Sequence, residues 1–173
     1  MITAGDRIIK GHPNPNWTGG INNTFSYKGF ELSFFVYARI GQTVYYEGNY
    51  GWKYAGDANT TVQDYWTYSN PTNSFPRPGN GSAGAYTKTY ISSLGLVDGS
   101  FVKIRDITFA YTLPVKWTES LKMSRFRVYT TLKNYFTFSK IKGFDPENEN
   151  TYGTSSLSFP MTKQWVFGLN LDF

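Results

Sequence analysis

The chain has 173 residues, the size of one ordinary domain, with 19% aromatic residues (14 Tyr, 14 Phe, 5 Trp) and a mean hydropathy of −0.42. No apolar run approaches the ~20 residues of a membrane helix, which excludes a transmembrane helix but not a transmembrane strand of ~9–11 alternating residues. The absence of cysteine removes disulfide scaffolds, Cys-based zinc sites and thiol nucleophiles, and the net charge of +5 is spread over scattered Lys and Arg, against nucleic-acid binding.

Met1 is followed by Ile-Thr-Ala-Gly-Asp, without a basic start or an apolar core, so no signal peptide is expected in the chain shown. His12, the only histidine, sits beside Pro13 in a polar loop and reads as a solvated residue. The first strand is expected over about 17–28. Ile21, Asn23, Phe25 and Tyr27 share one face; Asn22, Thr24 and Ser26 share the other. Lys28-Gly29 makes a tight connection to a second strand, 30–46. Phe30, Leu32, Phe34, Val36, Ala38 and Ile40 lie on its apolar face, opposed by Glu31, Ser33, Phe35, Tyr37 and Arg39.

A long loop, 47–100, follows. Asn59-Thr60-Thr61 predicts a cap for a short helix over Val62–Tyr68. Asp57, Asn59, Thr61 and Asp64 begin like a calcium loop, but the Gly at the sixth position and the Glu at the twelfth are missing, so a helix cap is favoured over a metal site. Trp52, Tyr54, Tyr65, Trp66 and Tyr68 crowd this loop. They read either as a surface that touches a substrate or partner, or as the loop's own small core. Asp98-Gly99, between Leu94–Val97 and Phe101–Ile104, predicts a local hairpin.

The third strand is expected over 101–113, with Ile107, Phe109, Tyr111 and Leu113 against Asp106, Thr108, Ala110 and Thr112. Pro114 to Ser124 connects it to the fourth, with a helical turn in Trp117–Lys122. The fourth spans 125–140: Phe126, Val128, Thr130, Leu132, Phe136 and Phe138 against Arg127, Tyr129, Thr131, Lys133 and Thr137. Asp145, Glu147 and Glu149 then fall in a Pro/Asn-rich loop and read as solvated charges; no catalytic or cofactor-binding motif appears anywhere, so neither an enzyme nor a bound cofactor is expected. The fifth strand, 161–173, is the plainest. Trp165, Phe167, Leu169, Leu171 and Phe173 are apolar at every odd position, with Val166, Gly168, Asn170 and Asp172 between them.

Short and long connections alternate along the chain. If the end of the fifth strand lies on the periplasmic side, both short connections fall there and both long loops fall outside, the parity of outer-membrane barrels.

Several stretches resemble the C-terminal part of SusC/RagA-type TonB-dependent outer-membrane transporters of Bacteroidota. They are Gly5 to Gly20, Asn22 to Phe35, D-G-S-F-V-K-I-R-D-I-T-F-A-Y-T-L-P (Asp98 to Pro114), Phe126 to Glu147, and the fifth strand. The resemblance implies an all-β segment: about five antiparallel strands forming the C-terminal portion of a transmembrane β-barrel. It implies import of glycan or peptide fragments through a barrel of many more strands with an N-terminal plug. The implied partners are outer-membrane lipid, the rest of the barrel and plug, a SusD-like surface lipoprotein, the barrel-insertion machinery, and TonB through the plug. Trp165, Phe167, Leu169, Leu171 and Phe173 would be the assembly signal that the insertion machinery reads. The plug and the earlier strands are not in this chain, which alone is not expected to transport. The competing reading is a soluble, aromatic-rich β-sandwich that binds carbohydrate, although a sandwich needs about seven evenly spaced strands.

Overall fold

The computed structural model describes residues 5, 8–46, 64–74, 93, 95–141, 145–147, 154–155 and 161–173. The chain divides into two compact units: Trp17–Ile40 with Phe101–Ser139 and Met161–Phe173, and Met1–Asn16 with Gly41–Ser100 and Lys140–Pro160.

The first unit is one five-stranded antiparallel sheet. Its strands are β1 (Trp17–Tyr27), β2 (Phe30–Ile40), β5 (Phe101–Thr112), β6 (Arg125–Ser139) and β8 (Gln164–Asp172), in the order β1-β2-β5-β6-β8. Among the described residues each of these five strands pairs with the one before and the one after it in this set, and all five predicted strands are present. Nine to fifteen residues per strand meet the ~9–11 needed to cross a bilayer at a tilt of ~45°. Among the described residues no helix is long and apolar enough to cross a membrane, which leaves crossing by strands untouched.

The β1–β2 connection is a two-residue turn with Tyr27 opposite Phe30. Lys28 and Gly29 both take positive φ, 45° and 86°, the backbone of a type I′ turn, whose twist matches that of the flanking strands. A Cβ at Gly29 would stand 2.6 Å from the Thr112 carbonyl oxygen, so glycine is required for space as well as for φ. Between β5 and β6 lie one helical turn, α1 (Val115–Thr118), and a 3-10 turn, Glu119–Leu121, closed by Lys122 in the left-handed region. The expected helical turn is therefore present, starting two residues earlier.

The second unit holds a small sheet in the order β4-β3-β7, with β3 (Thr43–Tyr46), β4 (Leu96–Asp98) and β7 (Thr154–Ser155). Two expectations are corrected here. The second predicted strand does not run unbroken to Tyr46: Gly41, at φ 86°, and Gln42 interrupt it, and Thr43–Tyr46 joins the small sheet. The predicted hairpin at Asp98-Gly99 does not form either. β4 pairs antiparallel with β3, Thr43 opposite Asp98, and not with β5. Gln42 is the reason. Its backbone carbonyl accepts the Gly99 N–H at 2.9 Å, and its buried side-chain amide donates to the Gly99 carbonyl at 2.8 Å. Gly99 is thus bound on both sides to the strand that precedes the long loop.

Apolar burial is sparse. Among the described residues the buried apolar side chains are Ala38, Val44, Phe101 and Ala110, while Phe25, Phe109, Trp165 and Phe167 stand exposed on regular strands. A sandwich would bury the apolar face of its main sheet. This sheet leaves that face open, and the sandwich reading fails on that observation.

Candidate membrane and lumenal surfaces

Strand register turns the alternation of single strands into two continuous surfaces. On one face, side chains stack in rows across the sheet. One row is Tyr27, Phe30, Tyr111, Val128, Leu169; the next is Phe25, Leu32, Phe109, Thr130, Phe167; the next is Asn23, Phe34, Ile107, Leu132, Trp165. Aromatic neighbours touch within it: Phe30 and Tyr111 at 4.4 Å between ring centres, Trp165 and Phe167 at 4.7 Å, Phe25 and Phe34 at 6.2 Å. Yet Phe25 is 59% and Phe167 68% exposed. The aromatic side chains thus touch one another within the sheet while staying exposed, which leaves a broad apolar surface among the described residues.

Polar interruptions on this face are rare, and one of them is satisfied in place. Thr130 Oγ1 accepts the Trp165 indole N–H at 2.7 Å and donates to the Val166 carbonyl at 3.3 Å. Both of its hydrogen-bonding roles are filled within the sheet, so the hydroxyl is satisfied on an otherwise apolar face.

The opposite face is polar. Its rows read Ser26, Glu31, Ala110, Tyr129, Gly168; then Thr24, Ser33, Thr108, Thr131, Val166; then Asn22, Phe35, Asp106, Lys133, Gln164. Arg127 reaches diagonally from β6 across β5 to Glu31 of β2, N to O 2.5 Å, passing between Thr112, its own partner in register, and the small Ala110, the partner of Glu31. Thr108 and Thr131 share a hydrogen bond at 2.8 Å.

A bulge then corrects the alternation. In β5, Asp106 pairs with Phe35 but Ile104 pairs with Val36, so Arg105 is the extra residue. Strict period 2 would set Arg105 on the apolar face with Ile107. Its guanidinium instead lies 4.1 Å from the ring centre of Tyr37 and 5.9 Å from that of Phe35, both on the polar face of β2. Beyond the bulge, even-numbered Ile104 and Val102 take over the apolar face, opposite Phe136 and Phe138 of β6. Arg39 Nε donates to the Tyr37 hydroxyl at 2.9 Å, and Lys103, opposite Tyr37, is buried with Nζ 3.8 Å from Met161 Sδ. This group of Arg39, Arg105 and Lys103 around Tyr37 was not singled out from the sequence. The signal that could have found it is a charged residue at an apolar parity in an otherwise alternating strand.

No protein-family model matches the sequence. Related proteins do. TonB-dependent receptor P3 of Formosa agariphila is 31% identical over 99% of this chain, and TonB-dependent receptor SusC of Bacteroides thetaiotaomicron is 29% identical, also over 99%. The chain is homologous over its length to the C-terminal part of SusC-like TonB-dependent receptors. It spans 18% of the length of P3 and 16% of that of SusC. Among solved structures, the RagAB peptide importer in its open-open state superposes with a TM-score of 0.75 at 24% identity, covering 95% of this chain and 18% of that one. A second RagAB peptide transporter structure gives 0.76 at 23%, covering all of this chain and 19% of that one. The fold is that of a portion of a TonB-dependent transporter barrel.

In this receptor segment the predicted site residues fall in two places. Trp165, Phe167, Leu169 and Leu171 line the apolar face of β8, with Phe173 one residue beyond the strand and exposed. Of the aromatic loop cluster, Trp52 and Tyr54 lie outside the described residues. Tyr65, Trp66 and Tyr68 are described, and the predicted helix is absent where it can be checked: Thr67 and Asn70 bridge to each other across a tight turn. Side-chain competition explains the outcome. Asp64 accepts from Asn70 Nδ2 at 2.8 Å, Thr72 Oγ1 at 2.6 Å and Ser74 Oγ at 3.0 Å, closing a loop where a helix would need regular backbone bonds. Those three donors, Thr72 first, hold the Asp64 carboxyl below its usual range. Trp66 and Tyr68 meet edge to face at 5.0 Å, and Tyr68 is otherwise exposed.

Asp145 and Glu147 are half-buried residues rather than the fully exposed ones the loop composition implied; Asp145 Oδ1 accepts the Glu147 N–H at 3.1 Å. Glu149 lies outside the described residues.

Proposed function

We propose that the chain forms the C-terminal part of the barrel of a TonB-dependent outer-membrane receptor that imports glycan or peptide fragments. One observation carries this reading: five strands segregate their side chains into an uncovered apolar face and a hydrogen-bonded polar face. The apolar face meets lipid and the polar face lines the lumen. Both long connections, after Ile40 and after Ser139, leave from the same end of this sheet, and both short ones lie at the other. The long-loop end is the extracellular one. Tyr65, Trp66 and Tyr68, with Trp52 and Tyr54, all in the first long connection, are the residues offered to substrate or to a SusD-like lipoprotein lid. TonB acts through a plug supplied from outside these residues. The catalysed step is transport, with no enzymatic chemistry assigned.

In this reading β8 and Phe173 are the signal for the barrel-insertion machinery. The strand must present an apolar row to lipid and offer its outer edge to the first strand of the barrel. The test is the yield of heat-modifiable, membrane-inserted receptor carrying Phe173→Asp, with Asp172→Ala on the lumenal face as control. Strong loss for Phe173→Asp and near-normal yield for the control are expected. Equal yields would reduce the tail to an ordinary strand.

A further inference from the structure

Period 2 tells a strand which face is apolar, but not where along its neighbour to stop. A slip of one residue would turn the apolar row of β8 to the polar side and is forbidden by burial. A slip of two keeps every side chain on its proper face. Because Trp165, Phe167, Leu169 and Leu171 are all large and apolar, such a slip changes the apolar contacts little. The connection from Ser139 to Gln164 is too long to fix register as a tight turn would. Something other than hydropathy must select the observed seating, in which Thr130 faces Phe167 and Tyr129 faces Gly168.

Two contacts discriminate between seatings two residues apart, one on each face of β8. On the apolar face, the Trp165 indole N–H donates to Thr130 Oγ1 at 2.7 Å. Thr130 is the one hydroxyl among Phe126, Val128, Thr130 and Leu132, so a slipped β8 would set the indole N–H against hydrocarbon. On the polar face, the Tyr129 ring occupies the place of a side chain at Gly168. A Cβ there would lie 2.2 Å from Tyr129 Cζ. Gly168 is the only glycine of β8, so a slip would press the ring against Val166 or Asn170. The ring is also held on its own strand, with the Arg127 guanidinium 5.5 Å from its centre and that guanidinium paired to Glu31.

We infer that Trp165–Thr130 and Tyr129–Gly168 form a two-faced register lock that seats the C-terminal strand in one of several hydropathically equivalent positions on β6. The lock sets how far β8 projects past Arg125, and hence where Phe173 stands. It is a separate property from the lipid-facing row, because Trp165→Phe leaves that row apolar while removing the donor.

The chain has no cysteine, so introduced pairs report register without background. Val128→Cys with Leu169→Cys tests the observed seating; Val128→Cys with Leu171→Cys or with Phe167→Cys tests slips of two. Directly opposed Cβ atoms lie within disulfide reach, and diagonal ones do not. The full 173-residue chain is folded in detergent micelles and oxidised, and the ratio of in-register to slipped disulfide is read. The ratio is read on the protease-protected, folded fraction of each variant, because unfolded chain oxidises without register. It is expected to be ~10 or more in the parent and to fall to about 1 when Trp165→Phe and Gly168→Val are combined. Thr130→Ser, which keeps the hydroxyl, should hold the parent ratio, whereas Thr130→Val should lower it. A parent without register preference, or a double variant that keeps it, overturns the inference.

Discussion

Phe34 and Ser33 are chain neighbours in β2 with opposite surroundings. Phe34 sits in the apolar row between Asn23 and Ile107; Ser33 sits in the polar row between Thr24 and Thr108. In an assembled barrel, Lys at Phe34 or Phe109 should cost about 2–4 kcal/mol near the bilayer midplane, because an ammonium would have to reach through hydrocarbon. Lys at Ser33 or Thr108 should cost far less. Denaturant unfolding of the barrel in lipid vesicles measures the difference, and equal costs on the two faces would reverse the assignment of surfaces. A different residue reports on the small sheet. The Asp98 carboxyl is drawn from 3.8 down to about 2, first by the Ser100 hydroxyl and N–H and then by Lys140 at 3.0 Å. A depressed pKa means that folding favours the carboxylate. Its contribution is complete above pH ~4 and is lost as pH falls toward 2. The Ser100 amide proton, which Asp98 Oδ1 accepts at 3.0 Å, should therefore titrate with a midpoint near 2 by NMR. A midpoint near 4 would show that the contact is absent in solution. Asp98→Asn should abolish the titration.

At the scale of elements, the strongest local commitment is the β1–β2 turn. Gly29→Ala meets two penalties at once, a left-handed backbone and a backbone carbonyl 2.6 Å from the new methyl. It should destabilise the hairpin by about 1–2 kcal/mol from the backbone term alone. Gly168→Ala meets the end of the Tyr129 ring rather than backbone and carries no left-handed penalty, so it should cost less than Gly29→Ala while displacing that ring from its seat; urea midpoints of the two variants compare them. This turn, like the five strands and their apolar faces, could be read directly from sequence, because alternation and a Lys-Gly pair are local signals. What could not be read was decided by partners distant along the chain. Asp98-Gly99 looked like a hairpin until Gln42, more than fifty residues earlier, bound Gly99 from both sides. The helix expected over Val62–Tyr68 depended on the side chain of Asp64, which the fold turned toward Asn70, Thr72 and Ser74. Arg105 left one mark, a charge at an apolar parity, but the bulge that turns it to the polar face is set by the pairing with β2.

For the whole molecule, the balance of buried and exposed apolar surface decides how it behaves in solution. A soluble domain of this length would bury its large aliphatic and aromatic side chains in one core. Here the described buried apolar residues are few and two of them are alanines, while Ile21, Phe25, Tyr27, Trp165, Phe167 and Leu169 each stand more than half exposed. Among the described residues the sheet also ends on two strands, β1 and β8, each with one edge unpaired. Open edges beside an apolar face favour pairing with further copies, and nothing at either edge opposes it with a proline or a cluster of lysines. The 173-residue chain in plain buffer should therefore sediment as large, polydisperse aggregates rich in β-structure. Detergent should disperse it, because micelles cover the face that lipid would cover in the barrel. Tryptophan fluorescence follows the same logic. Trp165 lies on the apolar face, so transfer to vesicles of brominated lipid should quench it, and Trp165→Phe should remove that share of the quenching. A monodisperse monomer with a sharp cooperative melt in plain buffer would contradict the exposed face and, with it, the membrane reading of the sheet.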